Sequence, residues 1–167
     1  YPSKVMLVAA MNPCPCGYVG HPTPPCSCTP PMLARYLGRV SGPLLDRIDI
    51  HVEVLPVDYA QMTSQQPREG SAAVRERVER ARAVQAARYS GQGFASNAAL
   101  PPALLDTVCA LEPRAERLLG QAFERMGLSA RGYGRLLKVA RTIADLDGAE
   151  RIGPAHISEA VQLRSLD

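Results

Sequence analysis

Between Pro13 and Pro31 the chain places seven prolines in 19 residues and threads four cysteines among them, as Cys14-Pro15-Cys16 and Cys26-Ser27-Cys28. No other stretch limits the fold so severely. Proline fixes φ and lacks a backbone N–H, so neither a helix nor a sheet ladder can run through such a segment. The segment also has little apolar material to hold it closed, whereas a bound metal can close it. Four thiolates around Zn2+ form a tetrahedral structural site with no open position for chemistry. The pattern is CxC…CxC rather than the commoner CxxC, and His21 can take the place of one cysteine. Two other readings stay open: four free thiols in an ordered metal-free loop, and disulfides. Disulfides are the least favoured, because no secretory signal accompanies the cysteines. The fifth cysteine, Cys109, is expected to be a small buried residue on a helix.

Composition changes near residue 60. Ten of the 15 prolines lie before that point, and the remainder is rich in Ala, Arg and Leu with helical periodicity. The apolar run Val5–Met11 fits a central strand covered on both faces, and Asn12-Pro13 ends it. Arg47–Val54 alternates with period two and predicts a second, half-exposed strand. Between them, Pro31–Leu37 suits a short helix before a Ser41-Gly42-Pro43 turn. Two strands do not make a domain, so their partners are expected elsewhere. By itself the first part is expected to be poorly ordered or aggregation-prone.

Residues 61–70 read as a linker, and 71–167 as about five helices. Ser71 can cap a helix reaching Tyr89, with Val74, Val78, Ala81 and Val84 on one face. Pro101 or Pro102 can open a helix ending near Leu111. Pro113 opens another that points Leu118, Leu119 and Phe123 inward and stops at Gly127. Ser129 precedes the most regular helix, whose stripe is Leu136, Leu137, Ala140, Ile143 and Ala144. Gly153-Pro154 opens the last one, with Ile152 placed to staple against Ile157.

The 46% hydrophobic and 21% charged residues in a chain of 167 describe an ordinary globular protein. The longest apolar run is far shorter than the roughly 20 residues of a membrane span, so no membrane partner and a cytoplasmic location are expected. A net charge of +3 does not argue for nucleic acid. The basic residues are almost all arginine, 17 against two lysines, and arginine suits planar recognition of phosphate. A GC-rich genome gives the same bias. The helix from Ser71 carries Arg75, Arg77, Arg80, Arg82 and Arg88, for which a solvated face is the plainer reading than a nucleic-acid surface. With six Tyr, two Phe and no Trp, none clustered, single-strand binding by a base-stacking platform is not expected.

Three polar residues stand at positions where phosphate chemistry is done. Asn12 ends the apolar strand, the edge where open α/β sheets bind ligands; the plainer reading is a strand-terminating Asn-Pro turn. Arg47 follows an apolar anchor and can reach a phosphate on a neighbouring subunit, or can pair with Asp46 or Asp49. Arg131 falls in the first turn of a predicted helix, where anions are favoured and an unaccompanied cation is not. Arg135 and Arg141 are expected on the exposed or domain-facing side of that helix.

The segments Met6-Leu7-Val8-Ala9-Ala10-Met11-Asn12-Pro13-Cys14-Pro15-Cys16-Gly17, Leu44-Leu45-Asp46-Arg47-Ile48-Asp49 and Leu128 to Leu146 together resemble the magnesium-chelatase-like AAA+ ATPases. Within these the similarity is to the competence-associated ComM/YifB group. The resemblance implies a mainly α chain. Residues 1–60 would be the last strands of an AAA+ α/β core with its Cys-rich loop at 13–31, and 71–167 a helical lid domain. It implies that Asn12 is the sensor 1 residue positioning the hydrolytic water. Arg47 would be the arginine finger acting on the adjacent subunit's ATP, and Arg131 the sensor 2 arginine of the lid. It further implies a homo-oligomeric ring, a hexamer, using ATP and Mg2+ in the full-length protein, with DNA branch migration in natural transformation as its work. No GxxxxGK[ST] loop and no metal-holding acidic run occur in the sequence. In the family's order both precede Tyr1, so this stretch is expected to be the C-terminal part of a module and inactive alone. Two alternatives are an ATPase motor of a metal-chelatase complex and a zinc-stabilised, non-catalytic binding module.

Overall fold

The computed structural model describes residues 5–57, 59, 63 and 69–164, arranged in two compact units, Tyr1–Arg47 and Ile48–Asp167. The described part is mainly helical, with seven α-helices and no named strand. Most of the linker at 61–70 lies outside the described residues.

In the first unit, Val5–Met11 follows an irregular path and is solvent-facing, with Met6 89% exposed. Arg47–Val54, at and after the unit boundary, is likewise irregular. Neither forms the strand that its pattern predicts, for a physical reason: a strand exists only as half of a hydrogen-bonded pair. No partner strand occurs among the described residues. Helix α1, Pro30–Leu37, starts on a proline in its first turn, where the missing N–H costs nothing. The short α2, Gly42–Leu45, follows, and neither helix buries a residue. Among the described residues of this unit only Cys14 is fully buried.

The second unit has an ordinary core. Helix α3 is Ser71–Arg88, α4 Leu105–Val108, α5 Pro113–Met126, α6 Ala130–Leu146 and α7 Pro154–Gln162. The centre is α6, which packs against α3, α4, α7 and the 3-10 turn Asn97–Ala99. The whole predicted stripe of α6, Leu136, Leu137, Ala140, Ile143 and Ala144, is buried. Gly134 lets α4 approach, since a Cβ there would stand 3.2 Å from Leu105 Cδ1. Gly127 ends α5 in the left-handed conformation at φ 58°, as the sequence predicts. Among the described residues a single parallel bridge, Leu111 to Ile152, joins the chain entering α5 to the chain entering α7. Ile152 and Ile157 are both fully buried there.

Three expectations about side chains are corrected. On α3 the buried face is Ala81 and Gln85, continued by Tyr89, while Val74, Val78 and Val84 stay about two-fifths exposed. The buried residues lie in the C-terminal half of α3, so Val74 and Val78 farther back have nothing to pack on, and Val84, beside Gln85, is turned off the buried face. Phe123 lies on the rim, 39% exposed and edge-on to Tyr133. Arg141 is 1% exposed instead of facing outward.

Arg141 belongs to a buried polar network. Its Nε donates to Asp145 one turn on at 3.1 Å, and its Nη1 and Nη2 donate to the Glu150 and Ala149 carbonyls. Asp145 also accepts a two-pronged bond from Arg88 and one from Asn97 Nδ2 at 2.8 Å. Asn97 in turn accepts from the Tyr89 hydroxyl at 2.6 Å. Burial alone raises the Asp145 pKa, but the bonds from Arg88 and Asn97 and the charge of Arg141 outweigh it and hold the carboxyl below its ordinary value. A depressed pKa contributes stability above the unfolded value of about 3.9 and loses it as pH falls through the folded value. Asp145→Ala is expected to destabilise the helical unit by about 3–5 kcal/mol, because it strands two arginines around a buried void. Urea denaturation of the 167-residue chain at neutral pH measures this. A loss below about 1 kcal/mol, the level of a surface pair, would refute the assignment.

Candidate metal centre and candidate nucleotide-site residues

The Cys-rich loop folds back so that the sulfurs of Cys14, Cys16, Cys26 and Cys28 all lie within 4.8 Å of one another. Individual separations are 3.4 Å for Cys14–Cys16, 3.5 Å for Cys16–Cys26 and 3.8 Å for Cys14–Cys26. A disulfide needs about 2.05 Å, and all five cysteines are free. Sulfurs on a tetrahedral ion with bonds of about 2.3 Å stand about 3.8 Å apart. The donor set is therefore compatible with a four-thiolate ion, its separations bracketing that value.

Local structure explains the convergence. Gly17 adopts φ 84°, a left-handed turn closed to most side chains, immediately after Cys16. That turn aims two backbone N–H groups at Cys14 Sγ, from Gly17 at 3.2 Å and Val19 at 3.4 Å. The N–H of Cys28 points at Cys26 Sγ in the same way. Such donors favour negative sulfur. The backbone N–H groups of Tyr18 and Ser27 pull the Cys16 thiol down to about 5. For Cys28 the N–H of Cys16 also favours the thiolate, but burial and the three neighbouring sulfurs push it up to about 12. Four thiolates repel one another, and a divalent cation among them removes that repulsion. His21 stays out of the cluster; its Nδ1 accepts from the Thr23 N–H at 3.4 Å. Cys109, at the end of α4, is buried as expected, and burial pushes its thiol up to about 11.

Asn12 sits beside this loop. Its side-chain nitrogen lies 3.8 Å from where a Cβ on Gly17 would be, and its carbonyl accepts from the Tyr36 hydroxyl of α1 at 3.1 Å. The cysteine loop connects the two ends of that hydrogen bond along the chain, so closing the loop fixes Asn12 against α1. Arg47 leaves α2 and returns its Nη1 to the Pro43 carbonyl at 2.6 Å. In the second unit Arg131 is the second residue of α6 and is exposed. Ser129 caps that helix by accepting from the Gly132 N–H at 3.1 Å. The structure thus gathers the four cysteines into one cluster, with Asn12 at its border. Arg47 and Arg131 stand in separate units.

The chain is a four-cysteine loop followed by a mainly helical unit, and comparison with known proteins makes it part of an AAA+ ATPase family member and gives the particular family. Residues 1–62 match the family model described as magnesium chelatase, subunit ChlI, and residues 68–164 match its C-terminal model. Over 169 aligned residues the chain is 42% identical to protein YifB of Escherichia coli K12, covering 100% of this chain and 32% of that protein. It is 41% identical to competence protein ComM of Haemophilus influenzae, over 99% of this chain and 32% of that protein. A Mycobacterium bovis protein is 38% identical over 98% of this chain. The chain belongs to the magnesium chelatase ChlI family and is a ComM/YifB-like member of it. It spans about a third of the length of these relatives. Among the described residues no helix is long and apolar enough to cross a membrane.

Several residues with structural weight escaped the sequence reading. Arg141 and Asp145, one helical turn apart, carried a signal, since a charge pair on the apolar side of a helix has to be buried together. Asn97, Arg164 and the Asp49–Arg135 pair carried none, because their partners are distant in sequence.

Proposed function

We propose that this chain is the sensor, finger and lid portion of an ATP-hydrolysing AAA+ ring that remodels DNA. Residues 1–60 are read as the end of the ATPase core, 61–70 as a linker and 71–167 as the lid. Asn12 orients the hydrolytic water. Arg47 reaches the nucleotide held by the next subunit, and Arg131 reaches the nucleotide from the lid. ATP and Mg2+ bind to the full-length protein, which forms a homo-oligomer, a hexamer, and takes DNA as its partner. Cys14, Cys16, Cys26 and Cys28 hold a structural Zn2+ that supplies no chemistry. It keeps the Asn12 turn on α1.

The observation that carries this reading is the exposed Arg131 at the positive end of α6 in a chain whose relatives are AAA+ family proteins. A cation there is locally unfavourable unless an anion comes to it, and a nucleotide phosphate is such an anion. The name of the competence relative supports DNA as the substrate. In the full-length protein Arg131→Ala is expected to lower ATP turnover by about 100-fold, the effect of losing one transition-state donor. The 167-residue chain alone is expected to show no turnover. Steady-state phosphate release checks both. Unchanged turnover in the Arg131→Ala protein would refute the lid role.

A second reading, a motor driving metal insertion into a tetrapyrrole, is favoured by the name of the matching family model. The paired cysteines weigh against it, since they resemble the ComM/YifB group. DNA binding by the full-length protein that weakens steeply with salt decides between the two.

A further inference from the structure

The residues that follow Arg47 in the chain are tied to the helices of the second unit. The His51 N–H donates to the Leu163 carbonyl at 2.6 Å, and Arg164 Nη1 donates to the Ile48 carbonyl at 3.3 Å. Asp49 accepts from Arg135 Nη1 at 2.5 Å. His51 Nδ1 lies 3.4 Å from the Arg164 carbonyl, and its Nε2 is shut off from solvent. These attachments fall on three residues of the four-residue stretch Ile48–His51 and reach across 86 to 116 positions of sequence. Arg164 is itself buried, and its Nη2 stands 3.6 Å from where a Cβ on Gly132 would be. Gly132 follows Arg131 directly. The segment Ile48–His51 is therefore bound to α6, the helix that bears Arg131, and its first residue is peptide-bonded to Arg47.

The components divide by strength. The backbone bonds and Arg164 are buried and belong to the fold. Asp49 is 55% exposed and Arg135 32% exposed in the ion pair, so solvent screens it and it adds little to folding. What it does is fix geometry: it holds the segment to one point of α6, one turn beyond Arg131. Asp49 lies two residues after Arg47 in the chain, so the ion pair joins α6 to the stretch of chain that carries Arg47.

We propose that Asp49 and Arg135 are positioning residues that transmit the state of the lid at one nucleotide to the finger serving the neighbouring one. The proposal rests on the roles assigned above to Arg47 and Arg131. It is tested in the full-length protein with Asp49→Asn, Arg135→Gln and the exchange Asp49→Arg with Arg135→Asp, beside Arg47→Ala as reference. Each single variant is expected to lower kcat for ATP by about fivefold or more, the lower end of coupling between sites, with KM within about twofold of the parent. Thermal unfolding should stay within about 2 °C of the parent, as for an exposed pair. The exchange should restore kcat. Single variants at parental kcat, or an exchange as impaired as the singles, would overturn the proposal while Arg47→Ala remains inactive. Full turnover in Arg47→Ala would instead overturn the underlying reading of the finger, and this inference with it.

Discussion

Replacing Cys14 by serine is expected to abolish zinc binding and unfold the first unit, leaving the helical unit intact. Cys14 is the fully buried residue among the described residues of that unit, and its sulfur collects the N–H groups of Gly17 and Val19. A serine oxygen is a shorter, harder donor that matches neither the sulfur positions nor the metal's preference for thiolate. Structural zinc bound by such sites contributes about 10–16 kcal/mol of apparent binding energy at neutral pH, and this is folding energy where the empty loop has no core. The parent chain, purified reduced, should contain one zinc per molecule by elemental analysis. Hydrogen exchange should show α1 amides protected in the parent and unprotected in Cys14→Ser or after chelation. Amides of α6 should be unchanged, since its core of Leu136, Leu137 and Ala140 contains no residue of the loop. Absence of stoichiometric zinc in the reduced parent would refute the metal centre, and equal α1 protection in Cys14→Ser would refute its structural role.

Arg47→Ala in the full-length protein is expected to reduce ATP turnover by about 1,000-fold or more, the effect of losing an arginine that neutralises transition-state charge. Nucleotide binding should change far less, because a finger acts on charge that develops during transfer. The residue sits well for this. It leaves α2 exposed, and its local bond to the Pro43 carbonyl is one that an arriving phosphate can replace. If it acts on the adjacent subunit, rings mixed from Arg47→Ala subunits and subunits disabled elsewhere in the ATP site should recover turnover. Activity equal to the sum of the separate rings would show that the arginine acts within its own subunit.

How much could be read in advance depended on the range of the forces involved. The helices of the second unit were legible because their signals are local. Proline at position 113, Ser129 as a cap, Gly127 as a stop and a 3.6-residue stripe on α6 each act within a turn or two. The gathering of the four cysteines was legible for the same reason: two CxC pairs lie a short loop apart and need no distant element to meet. The apolar run Val5–Met11 was legible in composition but not in outcome, since a strand needs a partner that composition cannot supply. The side of α3 that is buried was misread because periodicity does not say where along its length a helix meets its neighbours. The network around Asp145 was hidden for a different reason. Arg88 and Asn97 are brought to Asp145 only by the finished packing, and each of those two alone reads as an ordinary surface residue.

The nearly empty interior of the first unit has a consequence for what governs its persistence. Heat capacity of unfolding comes mostly from apolar surface newly wetted, and a unit that buries little of it has little to wet. Its stability curve is correspondingly flat, without the pronounced dome that bounds the helical unit at both warm and cold extremes. If its four cysteines hold the proposed ion, the variable that sets its folded fraction is the chemical potential of the free ion, through mass action, more than temperature. The two units of one chain would then answer to different variables, one to metal supply and the other to heat.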